Sequence, residues 1–274
     1  MNGIPIGIDP VLFHLGNIEV RWYGLAIAVA VIAAVWVASR EARRKGLSED
    51  NIQTLALLGV IGGIVGARLF HVLDKLDYYM ANPLSMFAFQ QGGLAIWGGV
   101  AGGLVVGSLY VIYKKMPLGS VADLTVPALL TGQIIGRVAC TINGDAWGNP
   151  TTLPWGFIYE NPAALIPPVL LGVPTHPYPV YEMLWNLVLL AVFLRLRTNL
   201  RPDGLLFALY AGGYSVGRFI LTFVREEQIV AWGLQQAQII SLFGFVGSTL
   251  LVLYLLVLRP KPRPAVVPKK KKRA

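Results

Sequence analysis

The chain is poor in charged residues and in cysteine. Charged residues make up 14% of its 274 residues, against about a quarter in a typical soluble globular domain. Hydrophobic residues reach 55%, and the mean hydropathy is +0.61. The single cysteine, Cys140, excludes an internal disulfide and a cysteine-based metal cluster. These shortages argue against a water-soluble domain or a disulfide scaffold and indicate that lipid is the main solvent.

Common catalytic motifs are missing as well. The sequence contains no Gly-x-Ser-x-Gly elbow, no phosphate loop and no dinucleotide fingerprint. His14, His71 and His176 lack the i, i+3 or i, i+4 spacing of metal ligands, so we expect no metal and no cofactor. The first nineteen residues carry Asp9 and Glu19 but no basic segment followed by an apolar one, which argues against a cleaved signal peptide.

What the sequence does contain is a series of apolar stretches. A helix needs about 20 apolar residues to cross the roughly 30 Å of bilayer hydrocarbon. Seven stretches meet this length, and the prediction is an all-α membrane protein with about seven transmembrane helices. They run over Arg21 to Ser39, Asn51 to Asp74, Gly92 to Tyr113, Val121 to Ile142, Val180 to Leu196, Gly204 to Val224 and Gln238 to Leu258.

The basic residues predict how these helices are threaded. Lys and Arg concentrate in the cytoplasmic loops of membrane proteins, and 17 of the 23 here fall in alternate loops. The prediction is therefore an outer N-terminus and a cytoplasmic C-terminus. These residues are Arg40 to Lys45, Lys114, Lys115, Arg195, Arg197, Arg201 and eight between Arg259 and Arg273. Because membrane topology explains most of the basic residues behind the +9 net charge, we expect no nucleic-acid partner.

Residues 1–258 are expected to form one transmembrane domain. The longest loop, 143–179, is rich in Pro, Gly and Trp, and we expect an ordered outer head that buries Trp147, Trp155 and Phe157. Residues 259–274, with the run KKKKR, are expected to be a disordered cytoplasmic tail that anchors on anionic lipid. Four pairs of glycines spaced four apart, including Gly62 with Gly66, predict close helix packing.

Three arginines lie inside the predicted spans. Arg68, Arg137 and Arg218 stand near the outer ends of the second, fourth and sixth spans, about one to two turns below the interface. A guanidinium group in hydrocarbon costs several kcal/mol unless it is paired or faces water. Snorkelling to the headgroups remains the simple alternative. Because Arg137 and Arg218 have no acid within four residues on their own helices, we hypothesise an anionic ligand such as a lipid phosphodiester.

Other polar and aromatic residues are predicted at the same level. A carboxylate entering a span is costly, so Glu182 is expected to pair, for instance with one of the arginines. Trp and Tyr are also ordinary residues of the membrane interface, which is the structural alternative for the aromatic members of the set. The set comprises Tyr23, Trp97, Asn143, Asp145, His176, Tyr181, Glu182 and Tyr214.

Six segments together resemble the bacterial prolipoprotein diacylglyceryl transferase family, over nearly the whole chain. They are RWYGL from Arg21, GARLFHV from Gly66, GGLAIWGG from Gly92, GRVACTINGDAWGNPTTLPWG from Gly136, HPYPVYE from His176 and GGYSVGRF from Gly212. The resemblance implies a bacterial inner-membrane enzyme without cofactors. It would move the diacylglyceryl group of phosphatidylglycerol to the lipobox cysteine of a prolipoprotein signal peptide, forming a thioether.

The resemblance also implies roles for individual residues. By motif, Arg137, Arg218 and Tyr23 correspond to functionally important residues of the family, and Asn143, Asp145 and Gly148 occupy further signature positions. On this basis we predict catalytic and substrate-binding groups. The catalytic set is Arg137, Arg218, Tyr23 and Asp145; the substrate-binding set is Arg68, Trp97, Asn143, Gly148, His176, Tyr181, Glu182 and Tyr214. The proton acceptor is left open among Asp145, Glu182 and His176.

The chain departs from the family pattern at four positions. Cys140 replaces the usual Asn, Asp145 the usual Glu, Trp97 a frequent His and Thr222 a frequent acid. Two alternative functions are therefore kept: a catalytically inactive lipid-binding relative, and a transporter of anions or lipid headgroups. A transporter would carry charges in the inner halves of its spans as well, and the hydropathy pattern indicates that those halves are apolar.

Overall fold

Seven long helices form the body of the protein. A computed structural model describes residues 3–16, 18–87, 93, 95–225 and 229–258. Within these residues, seven helices are long and apolar enough to cross a membrane, as the sequence predicted. They are α1 (Trp22–Lys45), α2 (Glu49–Asp74), α4 (Ile96–Tyr113), α5 (Leu118–Asn143), α6 (Tyr178–Leu196), α7 (Leu205–Thr222) and α8 (Gln236–Leu253); a short α3 (Leu76–Ala81) follows α2.

The helix ends differ from the predicted limits for a physical reason. Hydropathy marks the apolar part of a helix, whereas hydrogen bonding continues into charged turns. Helix α1 runs six residues beyond the predicted Ser39 and ends at Lys45, and the next residue, Gly46, has a φ of 71° and forms a left-handed cap. Helix α2 begins two residues earlier than predicted, because Ser48 accepts a hydrogen bond from Asn51 N at 3.4 Å. The predicted start of the third span at Gly92 and the tail 259–274 lie outside the described residues.

Three pairs of short strands were not foreseen. Strand β1 (Ile4–Ile6) pairs in parallel with β4 (Phe157–Tyr159). Strands β2 (Val11–Leu15) and β3 (Ile18–Arg21) form an antiparallel pair that leads into α1. A hairpin of β5 (Ile229–Ala231) and β6 (Leu234–Gln235) lies between α7 and α8. The β1–β4 pairing attaches the N-terminus to the loop that follows α5.

That loop has a small apolar core of its own. Tyr159, Ala164, Ile166 and Leu170 are buried together, with Trp147 and Phe157 among the residues packed against them. Trp147 and Phe157 thus bury apolar surface as expected. The same expectation is wrong for Trp155, which is 48% exposed and donates its Nε1 hydrogen to Tyr181 Oη at 2.9 Å.

Small residues bring α2 and α4 into close contact. The Cβ that alanine would add at Gly66 would lie 2.8 Å from Gly102 Cα and would also meet the carbonyl oxygen of Gly98. Gly62 is equally crowded, with Val106 Cγ2 2.6 Å from the position of a Cβ. Apolar burial drives helices together weakly in lipid, so backbone contact of this kind is a main source of packing energy.

We expect Gly66→Ala to destabilise the α2–α4 pair. The methyl group has backbone atoms as neighbours on the opposite helix, and such overpacking costs about 1–3 kcal/mol. Thermal unfolding of the detergent-solubilised protein, followed by size-exclusion chromatography, measures the loss. Gly59→Ala on the same helix is the control, because a Cβ there meets nothing within 4 Å; equal melting temperatures for the two variants would contradict the packing argument.

The end of the bundle opposite Arg137 and Arg218 contains a buried charge cluster. Asp123 on α5 is 5% exposed and accepts hydrogen bonds from Gly204 N at 3.0 Å and Phe207 N at 3.1 Å. Lys45 Nζ lies 3.1 Å from the same carboxylate. The prediction that the inner halves of the spans are uncharged is therefore wrong for Asp123. Its carboxylate caps the first turn of α7 and pairs with α1, which is a structural role.

Candidate active site

Arg137 and Arg218 share one carboxylate. Arg137 Nη2 lies 2.6 Å from Glu182 Oε1, and Arg218 Nη1 lies 3.1 Å from Glu182 Oε2. The three residues come from α5, α7 and α6, whose neighbouring faces pack together. The Glu182 side chain is 3% exposed, while those of the two arginines are about 20% exposed. The expected pairing of Glu182 with an arginine is thus found twice, and the arginines retain a route to the surface.

Tyr178 lies at the centre of this charge group and was missed from the sequence. It is fully buried, and Arg218 Nη1 donates a short hydrogen bond to its hydroxyl oxygen. The ring centroid lies 5.8, 5.6 and 5.2 Å from the guanidinium carbons of Arg137, Arg218 and Arg225, within the range of cation–π attraction. A signal existed, because Tyr178 stands four residues before Glu182 and thus on the same helix face.

Polar contacts continue below the arginines. Tyr214, one turn before Arg218 on α7, donates to Glu182 Oε1 at 3.4 Å, which places it beside the pair as its helix position indicated. One turn deeper, Gln133 Nε2 donates to Tyr210 Oη at 3.1 Å. The carboxylate of Glu182 therefore accepts from groups on two helices, and its oxygens are occupied by ion pairs and a hydroxyl. That arrangement suits an organiser of the arginines better than a free proton acceptor.

Cys140, Asp145 and Tyr23 form a second group near Arg137. Cys140 Sγ accepts a hydrogen bond from Arg137 Nη1 at 3.8 Å, and the thiol also lies within electrostatic reach of Asp145. Tyr23, near the start of α1, is in turn close to Cys140, Asp145 and Arg137. Packing of α1 against α5 thus brings the predicted tyrosine to the predicted arginine.

Two buried oxygens in this region have no partner among the described residues. Asn143 Oδ1 and Asp145 Oδ1 are both buried without a hydrogen bond in that part of the chain. Asn143 ends α5, and Asp145 follows the left-handed cap residue Gly144, which has a φ of 72°. A buried acceptor without a donor is costly. These oxygens are therefore candidate acceptors for a hydroxyl or thiol hydrogen of a substrate.

Gly148, His176 and Tyr181 lie where the predicted outer head meets the start of α6. A Cβ at Gly148 would lie 2.6 Å from His176 Cβ and from Val224 O, so only glycine fits this approach of three segments. His176 Nδ1 lies 3.3 Å from Tyr181 Oη. Partial burial lowers the pKa of His176, so the ring is mostly neutral at pH 7 and is able to accept a proton.

Arg68 and Trp97 form no ion pair or hydrogen bond with Glu182 among the described residues, unlike Arg137 and Arg218. Arg68 donates to the backbone carbonyls of Met86 at 2.9 Å, Gly93 at 3.1 Å and Ser85 at 2.5 Å. It thereby ties Ser85, Met86 and Gly93 to α2. Trp97, in the first turn of α4, is 47% exposed, and its side chain makes no hydrogen bond within the described residues. The structure brings two of the three span arginines onto one carboxylate; for Arg68 and Trp97, substrate binding stays a prediction.

The arginine pair has the chemistry of a phosphate site. Two guanidinium groups against one carboxylate leave one uncompensated positive charge, held in a poorly hydrated environment where electrostatic attraction is strong. Guanidinium groups suit phosphate oxygens because their planar fork donates two parallel hydrogen bonds. Among the described residues, no group of three or more His, Cys, Asp and Glu side chains is arranged to hold a metal ion.

Comparison with known proteins points to one family. The sequence model described as prolipoprotein diacylglyceryl transferase matches residues 10–254. The chain belongs to this family. A relative from Dehalococcoides mccartyi, named phosphatidylglycerol–prolipoprotein diacylglyceryl transferase, is 38% identical over 252 residues, covering 92% of this chain and 95% of the relative.

Relatives with the same name come from distant bacteria. The one from Clostridioides difficile is 34% identical over 248 residues, covering 90% of this chain and 96% of its own. That from a Nostoc species is 36% identical over 270 residues, covering 96% and 94%. The family match includes all seven long helices, so membership of the prolipoprotein diacylglyceryl transferase family applies to the whole helical body. The protein is a multi-pass membrane protein.

Cys140 is one of the four positions at which the sequence departs from the expected family pattern, and we expect Cys140→Asn to be tolerated. An asparagine at this position has a carbonyl oxygen able to accept a hydrogen bond from Arg137 and an amide able to donate one to Asp145, and the thiol makes the same two contacts more weakly. Activity within about threefold of the unchanged protein is the expected outcome of an ordinary polar replacement. It is measured as thioether product per amount of folded protein.

Cys140→Val is the matched control, since it keeps the approximate volume and removes both polar roles. We expect it to lose more activity than Cys140→Asn. If asparagine abolishes activity while valine preserves it, the surroundings of Cys140 have adapted to the thiol and the expectation is wrong.

Proposed function

We propose that the protein transfers the diacylglyceryl group of phosphatidylglycerol to the cysteine thiol of a bacterial prolipoprotein. The observation that carries the proposal is the Arg137–Glu182–Arg218 group in a chain that belongs to the prolipoprotein diacylglyceryl transferase family. The phosphodiester of the lipid would contact the two guanidinium groups, and its acyl chains would extend between the helices.

The reaction exchanges one bond for another. The thiol sulfur attacks the carbon of the diacylglyceryl group that is bonded to the phosphate oxygen. A C–S bond forms, and the bond between this carbon and the phosphate oxygen breaks. Glycerol phosphate leaves with the bonding electrons. Arg137 and Arg218 bind the phosphate and stabilise the negative charge that grows on it, and fixed cations of this kind are a main source of catalysis in poorly hydrated sites.

The thiol must also lose its proton. The surrounding positive charge of Arg137 favours the thiolate. Asp145, with an unpartnered Oδ1 beside Cys140, and the neutral ring of His176 are the two groups open to accept the proton. We favour Asp145, because it lies within electrostatic reach of Cys140 and Tyr23, which also interact with Arg137, whereas Nδ1 of His176 is already paired with Tyr181.

Topology and partners complete the proposal. The protein would lie in the bacterial cytoplasmic membrane with its N-terminus and the head outside, so that the arginine pair opens towards the outer leaflet. The second substrate would be the signal peptide of a prolipoprotein with its lipobox cysteine. The alternating basic loops support this orientation.

The test is transfer by the purified full-length protein. Phosphatidylglycerol labelled in its acyl chains is incubated with a lipobox peptide, and mass spectrometry detects the product. A thioether-linked diacylglyceryl peptide together with released glycerol phosphate is the expected result. Binding of phosphatidylglycerol without product would identify an inactive relative, and movement of the lipid or its headgroup across proteoliposomes without product would identify a transporter.

A further inference from the structure

A polar pocket lies at the end of the helix bundle opposite the arginine pair. Its volume is about 190 Å³. It is formed where the end of α1, the start of α5 and the α6–α7 connection meet. The lining residues are Arg44, Lys45, Ser120, Arg197, Thr198, Leu200, Arg201 and Asp203. The proposed transfer reaction uses none of them.

Positive charge dominates the lining. Four of the lining side chains are cationic and one is acidic. Glu41, which is buried beneath the pocket, pairs with both Arg44 and Arg197, and Asp123 pairs with Lys45. Even when these two acids are counted, the cations exceed the carboxylates by one. The pocket therefore attracts anions, and the excess charge cannot be removed by rearranging the internal ion pairs.

Hydrogen-bond donors lie around the same space. Arg197 is a lining residue, and its Nε is buried with no acceptor among the described residues. The side chain of Arg201 is 77% exposed and lies 3.3 Å from Asp203 at the rim; an exposed pair of this kind is weak, so an anionic ligand can compete for the guanidinium group. Thr198 adds a hydroxyl group to the lining. A buried N–H without an acceptor is costly, and ionised donors form strong charge-assisted hydrogen bonds with anions, so these groups favour an anionic ligand.

The position favours phosphate as the anion. The pocket lies at the helix ends that carry the basic loops, which is the level of the inner-leaflet headgroups under the predicted topology. Clusters of Lys and Arg at this level recognise anionic lipid headgroups. We propose that this pocket binds the phosphate group of an anionic glycerophospholipid, or free phosphate, at the cytoplasmic face, separately from the site of the transfer reaction.

The experiment uses the purified full-length chain, delipidated in a neutral detergent. Native mass spectrometry measures binding of phosphatidylglycerol, and calorimetry measures binding of inorganic phosphate. Both titrations are done in an Arg137→Gln background, which weakens lipid binding at the arginine pair. Adding Arg201→Gln or Arg197→Gln is expected to weaken the remaining binding about fivefold to tenfold, as for loss of one charge-assisted contact.

Arg40→Gln is the matched control. It removes the same charge from the same end of the bundle, but Arg40 stacks on Trp36 at 4.0 Å and does not line the pocket; a change below about twofold is expected, as for an exposed charge. Variant-dependent loss of phosphatidylglycerol binding assigns the site to lipid, and loss of phosphate binding alone assigns it to the free anion. Unchanged binding of both ligands in the well-folded Arg201→Gln variant would overturn the proposal.

Discussion

Arg137→Ala is expected to abolish thioether formation, with a fall in rate of at least about a hundredfold, the effect of losing one preorganised group that stabilises a developing negative charge. Arg137 binds Glu182, contacts Cys140 and lies near Tyr23, so it joins the two halves of the candidate site. Without its guanidinium group, Arg218 alone would face the departing phosphate. The measurement is the rate of product formation from labelled phosphatidylglycerol and a lipobox peptide, per amount of monodisperse protein.

Two further variants separate charge from geometry. Arg137→Lys keeps the charge but loses the planar fork, so it is expected to recover only part of the activity. Lys75→Ala removes an exposed cation at the α2–α3 junction, on the predicted outer side, and is expected to leave the rate unchanged. A near-normal amount of product from a well-folded Arg137→Ala protein would show that Arg137 takes no part in the reaction. The proposal that Arg137 and Arg218 together bind the phosphate would then be wrong.

The sequence predicted the membrane helices because the information for them is local. Length, apolar composition and the basic loops need no knowledge of which helices are neighbours. The depth of Arg137 and Arg218 followed from the same count of residues, and the demand for a partner followed from the cost of a charge in lipid. The sequence predicted that Glu182 pairs with one arginine, but not that it forms ion pairs with both, since the sequence does not tell which helix faces meet.

Residues whose role depends on tertiary contacts were missed or misjudged. Tyr178 was within a recognised segment, but its position between the guanidinium groups arises from the packing of α5, α6 and α7. Asp123 was overlooked because a window of hydropathy averages one charge with its apolar neighbours, and its capping of α7 spans more than eighty residues. Arg68 was placed by its depth and its family segment, and it donates hydrogen bonds to backbone carbonyls of the short 3-10 helix Pro83–Phe87.

Glu182→Gln is expected to be strongly destabilising. The carboxylate is buried and lies between two guanidinium groups, so the neutral amide leaves like charges facing each other in a poorly hydrated interior. Breaking a buried ion pair from one side costs about 3–5 kcal/mol. We expect a clear fall in melting temperature in detergent, and a larger rise on addition of phosphatidylglycerol than the unchanged protein shows, because the lipid phosphate supplies the missing negative charge.

A double-mutant cycle tests the cause of that loss. Arg137→Gln combined with Glu182→Gln removes one cation together with the anion, so the double variant is expected to be less destabilised than the sum of the two single variants, by about 1–3 kcal/mol. Additive effects would mean that the carboxylate does not hold the arginines together electrostatically. In that case the stabilisation of Glu182→Gln by phosphatidylglycerol should also be absent, and the arginine pair would have to bind its substrate without an organising acid.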